Sequence, residues 1–151
     1  MAKYAIDGQD TNTAATSILG VNADATTARR QKVYYVECGS DATPADNAAE
    51  YVLQRYTSPG AFTAVTPQAL DSADAASLAD GGEAHSTEPT YTANAILLAW
   101  MQNQRATYQW FAPPGGELII PATASNGLAV QVITVAGSAV NTGVCIHFEE
   151  Q

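Results

Sequence analysis

The chain has few charged side chains, and positive charge is the scarcest. Charged residues make up 14% of the 151 residues, against about a quarter in an average globular protein. Six are Lys or Arg and 15 are Asp or Glu, which gives a formal charge of −9, and no basic residue follows Arg105. Because binding to DNA or RNA depends on basic side chains that neutralise phosphates, we expect no nucleic-acid partner.

Long apolar runs are also missing. The sequence has no stretch of about 18 apolar residues, the length that a membrane-spanning helix needs, so we expect no membrane partner. Residues 1–8 lack the charged-then-apolar order of a signal peptide. We therefore expect the protein to be made in a cytosol and not exported from it.

Cysteine and histidine, which serve most metal sites and nucleophilic enzymes, number two each. Cys38 and Cys145 lie in predicted strands at a spacing that matches no zinc or redox motif, so we expect free buried thiols, with a disulfide as the alternative. Cys145 and His147 do not form a catalytic pair in an extended strand, because their side chains would stand about 7 Å apart and parallel. We expect no metal, no cofactor and no enzymatic activity.

What the chain does contain is short β-rich runs separated by Pro, Gly and Asn. The runs Lys32–Cys38 and Leu128–Val135 are rich in β-branched and aromatic residues, which favour strands. Near the C-terminus, Val144, Ile146 and Phe148 alternate with more polar neighbours, which predicts a strand with one buried face.

Two further segments fit either a helix or a strand. Ala48–Thr57 shows no clean alternation, and Tyr91–Met101 is apolar enough for a helix or for a strand that is buried on both faces. The Pro and Gly turns beside them and the β-rich runs around them favour strands for both.

These runs predict an all-β fold: about eight strands in two packed antiparallel sheets, a jelly-roll-like β-sandwich. Residues 32–151 are expected to form this single domain. Residues 1–31 contain few large aliphatic side chains and are predicted to form an extended N-terminal arm or an edge segment. Residues 66–87 predict one long surface loop between the sheets. The acidic side chains of this loop are possible calcium ligands, with solvated loop acids as the alternative.

Six stretches between residues 33 and 149 carry a resemblance to a known group of proteins: Gly39–Thr57, Val65–Asp71, Glu88–Asn94, Asn103–Tyr108, Ala112–Leu118 and Pro121–Gly127. Together they resemble small structural proteins of tailed-phage virions. Some proteins of this size and β-rich make-up are head decoration, or cement, proteins. The resemblance implies a place in the virion and supplies no catalytic residues.

The sequence therefore predicts a non-enzymatic protein that decorates and stabilises the outer surface of a tailed-phage capsid. It is expected to be made in the host cytoplasm, to form a homo-oligomer and to bind the major capsid protein on the capsid exterior. One alternative is a tail, neck or head-fibre component. Another is a carbohydrate-binding module for host recognition, which would need exposed Trp or Tyr side chains in a groove.

The predicted contact regions are the arm, residues 1–31, and the long loop, residues 66–87. Within and beside them, large apolar or basic side chains are the candidate interface residues: Ile6, Ile18, Leu19, Val21, Arg29, Arg30, Leu70 and Leu78. If the arm only orders against a neighbour, deletion of residues 2–25 should leave a folded domain that no longer binds capsids.

Overall fold

Alternating apolar and polar side chains produce twelve β-strands and no helix in the computed structural model, which describes all residues from 1 to 151. The strands are β1 Lys3–Thr11, β2 Ser17–Ala23, β3 Gln31–Ser40, β4 Ala48–Ser58, β5 Ala61–Ala64, β6 Gln68–Ala69, β7 Ala79–Thr87, β8 Thr90–Asn103, β9 Tyr108–Phe111, β10 Leu118–Ile120, β11 Gly127–Val135 and β12 Asn141–Glu150. The structure has no helix with the length and apolar character needed to cross a membrane.

The strands form two six-stranded antiparallel sheets that pack against each other. The first sheet has the order β10–β3–β12–β1–β6, with β9 also paired to β3. The second sheet has the order β5–β7–β2–β11–β4–β8. The chain crosses from one sheet to the other at each of its first three connections, so neighbours in a sheet are distant in sequence. The predicted all-β, jelly-roll-like sandwich is confirmed.

The core lies between the sheets and is built from the inward-facing side chains of the longer strands. In β12, Val144, Ile146 and Phe148 point inward and are 3% exposed or less, while His147 on the outer face is only partly buried. Phe148 stacks on Tyr4 of β1 with a centroid separation of 5.6 Å. The alternation predicted for this segment is confirmed.

The two segments that fitted either a helix or a strand are both strands. Residues 48–53 of β4 pair without interruption with residues 98–103 of β8. Trp100 of β8 stacks between Tyr51 and Tyr108, with centroid separations of 5.7 and 4.4 Å. An aromatic stack of this kind fixes the inner side of β8 against the core, which outweighs the helix propensity of its Ala and Leu residues.

The N-terminal residues do not form an arm. β1 lies between β12 and β6, and β2 lies between β7 and β11, so both strands are inside their sheets. All seven residues of β2 are buried. The prediction failed because large aliphatic side chains are few in residues 1–31 as a whole, although Ile18, Leu19 and Val21 concentrate in β2 and are buried there, and the small residues between them leave room for neighbouring side chains. Gly20, for example, lies under the Tyr56 hydroxyl group, which would be 3.2 Å from an added Cβ.

The predicted loop of residues 66–87 is shorter in the structure. β6 and β7 occupy its two ends, and the connection between these two strands is only residues 70–78. Gly81 and Gly82 sit inside β7 because larger residues have no room there: an added Cβ would lie 2.1 Å from Ile6 Cδ1 at Gly81 and 1.9 Å from the Phe62 ring at Gly82. Two glycines that are typical of a loop in the sequence therefore lie within a strand, at positions where neighbouring side chains leave no room for a Cβ.

Candidate functional site

The edges of the two sheets differ greatly in length. β5 has four residues, β6 has two, and β9 and β10, which lie along the same side of β3, have four and three. Short edge strands are one way in which natural proteins prevent pairing with other chains. The remaining edge strand, β8, has 14 residues and pairs only with β4.

Part of β1 extends beyond its short neighbour β6, and acidic side chains lie along this part. The backbone N–H of Gln9 donates to the Glu83 carboxylate at 2.6 Å, and Asp7 and Asp10 lie on the same stretch. Charged side chains at an edge also disfavour pairing with another strand. The edge of β8 carries no charged side chain.

The β8 edge is neutral and partly apolar. No charged residue lies between Glu88 and Arg105. Ile96 is 51% exposed and Met101 is 72% exposed. Three register shifts against β4 interrupt the strand before Leu98, where Asn94 has a φ of 57°, and the strand is regular from Leu98 onward. An exposed, long and apolar edge with unpaired backbone groups favours strand addition by another chain.

A second surface lies on the outer face of the first sheet. Phe111, Tyr35 and His147 are cross-strand neighbours on β9, β3 and β12. The Tyr35 ring lies 4.8 Å from Phe111 and 4.8 Å from His147, and Tyr34 lies 6.0 Å from His147. We call these four side chains the aromatic row. With Glu37 and Cys145 they line a hollow of about 310 Å³.

The hollow carries one carboxylate, Glu37, beside several titratable side chains that bear no negative charge near pH 7. The Tyr35 hydroxyl group donates a short hydrogen bond to Glu37 Oε2, which together with burial raises the pKa of Tyr35 to about 12. Burial raises the pKa of the Cys145 thiol to about 11, with smaller contributions from Asp7 and Glu37. Burial lowers the pKa of His147, although Glu37 opposes this. Near pH 7 the Cys145 thiol is therefore protonated and His147 is neutral.

These shifts also bear on the Cys145 and His147 pair. An activated Cys needs a pKa below its usual value and a cationic neighbour, whereas burial here moves the pKa of Cys145 up and that of His147 down. Cys38 is buried and Cys145 is half-buried, and both are free, as the sequence predicted. No group of three or more His, Cys, Asp or Glu side chains lies close enough together to hold a metal ion.

Four of the predicted interface residues lie in the core. Ile6 is 1% exposed, and Ile18, Leu19 and Val21 are completely buried. They pack between the sheets because β1 and β2 are interior strands, so their assignment as contact residues is wrong.

The other four predicted interface residues are on the surface: Arg29, Arg30, Leu70 and Leu78. Arg29 and Leu78 line a common hollow of about 370 Å³ with Met1 and Tyr4. Leu70 and Leu78 are 52% and 40% exposed and lie at the two ends of the 70–78 loop. The structure thus brings Arg29 and the loop together, and their role in contacts stays a prediction.

The aromatic side chains near β9 are divided between core and surface. Tyr108 and Trp110 are partly buried and pack against the core, whereas Phe111 is 66% exposed. Trp100 is 5% exposed. The carbohydrate-binding alternative needed exposed Trp or Tyr in a groove: Trp100 does not meet this condition, but Tyr34 and Tyr35 line an open hollow, so this alternative stays a prediction. The exposed aromatic surface is the aromatic row, which the sequence analysis did not single out.

No protein-family model matches the chain, and no curated protein matches it. Among solved structures, the chain is similar to a chain in the structure of deformed wing virus, a honeybee pathogen, with 9% sequence identity and a TM-score of 0.33. The match covers 98% of this chain and 43% of the viral chain, so this chain spans less than half the length of its neighbour.

Proposed function

We propose that the chain is a non-enzymatic structural protein of a virion, which decorates and stabilises the outer surface of a tailed-phage capsid. The sequence resemblance to small tailed-phage virion proteins supports the virion assignment. The observation that carries the proposal is the free edge of β8, because it is the longest edge strand of the fold and carries no charge.

The partner that fits this edge best is a second copy of β8. With a formal charge of −9, two copies repel each other over most of their surfaces. The residues between Glu88 and Arg105 carry no charge, so two copies can approach there. Antiparallel pairing of two β8 strands about a two-fold axis would satisfy the free backbone groups of both and extend the second sheet across the dimer.

Pairing of copies would also help binding to a shell. A capsid offers many identical sites, and a linked pair binds its second site at a high effective concentration. Weak contacts with the major capsid protein would then suffice for occupancy. Arg29, Arg30, Leu70 and Leu78 stay candidate contacts with the shell, and Leu70 is tested below.

Tail, neck or head-fibre location is the alternative that the same edge allows, since such components also assemble from repeated copies. The number of copies in a particle separates the two locations. Receptor binding through carbohydrate is the second alternative: Trp100 is buried, so the hollow lined by Tyr34 and Tyr35 is the surface that such binding would use.

A charge placed on the free edge should prevent pairing. We expect Ile96→Lys to weaken self-association by about tenfold or more, because a charged side chain beside the pairing edge replaces an apolar contact and disfavours strand addition. Leu70→Lys is the matched control: Leu70 is 52% exposed and Ile96 is 51% exposed, and the charge change is the same. Sedimentation velocity over a range of protein concentrations measures the effect.

The same two variants test capsid binding by co-sedimentation with purified shells that lack the protein. Ile96→Lys should reduce bound protein, since single copies lose the benefit of linked binding. If Leu70→Lys abolishes binding while Ile96→Lys leaves both self-association and binding unchanged, the loop makes the contacts and the β8 edge does not.

A further inference from the structure

The aromatic row has the composition of a site for a positively charged group. Three rings from β3 and β9, Tyr34, Tyr35 and Phe111, stand around a hollow whose one ionised group is the Glu37 carboxylate. Aromatic faces attract cations through the negative potential of the ring, and a carboxylate at close range adds to this attraction. Apolar side chains of a partner would bury Glu37 without a counter-charge, which is unfavourable.

Further carboxylates lie on the same face as the hollow. Asp7, Cys145 and Glu37 are cross-strand neighbours on β1, β12 and β3, so a second carboxylate lies two strands away on the same face. Next to them, Gly39 and Gly143 form a floor without side chains in a trough of about 610 Å³, which Glu83 also lines. A ligand that reaches from the rings into the trough therefore meets negative charge along its length.

The chain itself shows that this face accepts a cation. The Lys3 ammonium group lies 5.5 Å from the centroid of the Tyr34 ring, at one end of the aromatic row. At the other end Phe111 is 66% exposed and has no such partner among the six basic residues of the chain. Glu37 Oε2 accepts from Tyr35, and this leaves Oε1 for a donor from outside.

We propose that the hollow receives the guanidinium or ammonium group of an Arg or Lys side chain from a partner protein. The group lies against the rings of Tyr35 and Phe111 and donates to Glu37 Oε1. Arg fits better than Lys, because its planar group stacks on a ring and donates at its edge in the same position. The proposal deepens the proposed function by naming the chemistry of a partner contact, and it does not depend on self-association through β8.

The test uses the isolated protein and two small probes. N-acetyl-arginine amide presents the side chain without terminal charges, and N-acetyl-citrulline amide has nearly the same shape without the positive charge. We expect the arginine probe to shift the aromatic NMR signals of Tyr35 and Phe111 with a dissociation constant in the millimolar range, as is usual for one exposed cation contact. The citrulline probe should bind at least about fivefold more weakly.

Three variants locate the site. Glu37→Gln and Phe111→Leu should each weaken binding of the arginine probe by about threefold to tenfold. Glu50→Gln removes the same charge from β4 in the opposite sheet and should leave binding unchanged. The dispersion of the amide signals shows whether each variant is folded, and Phe111→Leu, at an exposed position, keeps the test valid if Glu37→Gln does not fold.

Equal binding of the two probes would overturn the proposal, and so would equal effects of Glu37→Gln and Glu50→Gln, because the attraction would then be unspecific. If glucose shifts the signals of the aromatic row and the arginine probe does not, the hollow binds sugar and the carbohydrate alternative gains support. The probe experiment uses no capsid. A negative result would therefore say nothing about the virion assignment, and an error in the virion assignment would not change binding of the arginine probe.

Discussion

Deletion of residues 2–25 is expected to abolish folding. Six of the 21 side chains in the core cluster belong to β1 and β2: Tyr4, Ile6, Ile18, Leu19, Val21 and Ala23. Loss of β2 would also separate β7 from β11, and loss of β1 would separate β12 from β6. Truncation of single core side chains costs about 2–5 kcal/mol each, against a total stability of about 5–15 kcal/mol for a typical domain.

Circular dichroism and a thermal melt of the truncated chain measure this outcome. The sequence alone predicted the opposite, a folded domain that cannot bind capsids, so the experiment separates an arm from interior strands. As a control, replacement of residues 71–77 by a Gly/Ser linker of equal length should leave a cooperative melt, because this connection is exposed along nearly all of its length. A cooperative melt of the truncated chain at the temperature of the intact chain would contradict the strand order described above.

Truncation of Phe148 should destabilise the protein strongly, whereas truncation of Phe111 should leave its stability almost unchanged. Phe148 is fully buried and stacks on Tyr4 in the middle of the first sheet. We expect Phe148→Ala to lower the free energy of unfolding by about 3–5 kcal/mol, since it leaves a cavity between the sheets. Phe111 is 66% exposed, and Phe111→Ala should change stability by no more than about 0.5 kcal/mol.

Urea denaturation of both variants measures the difference. The two substitutions remove the same atoms, so the contrast depends only on position. Phe111→Ala should also lose the response of the aromatic row to the arginine probe, whereas any folded Phe148 variant should keep it. If Phe111→Ala lowered the free energy of unfolding by several kcal/mol, Phe111 would be packed against another part of the chain, which would contradict its exposed position.

The strands with strong β-patterns could be predicted from the sequence. β3, β11 and β12 are rich in Val, Ile and aromatic residues, and they form the centre of both sheets. Strand character of this kind is local, so a short window of sequence contains the signal. β2 and β7 were missed, because their Gly, Ala and Asn residues become strand positions only when neighbours such as Tyr56 and Phe62 fill the space above them.

The candidate surfaces depend on pairings that the sequence does not contain. The uncharged segment before Arg105 is visible in the sequence, but its position at a free edge follows from the strand order. Tyr35, Phe111 and His147 come together through register, and that register includes a shift between His147 and Phe148. Long-range pairing decides both surfaces, whereas residue composition decides only that strands form.

The copy number of the protein in purified phage particles tests the central claim most directly. Quantitative mass spectrometry would give the ratio of this chain to the major capsid protein, and immunogold labelling would give its location. A decoration protein predicts hundreds of copies, with label over the whole head, because its sites repeat with the shell lattice. About a dozen copies or fewer, with label at one vertex or along the tail, would contradict the account.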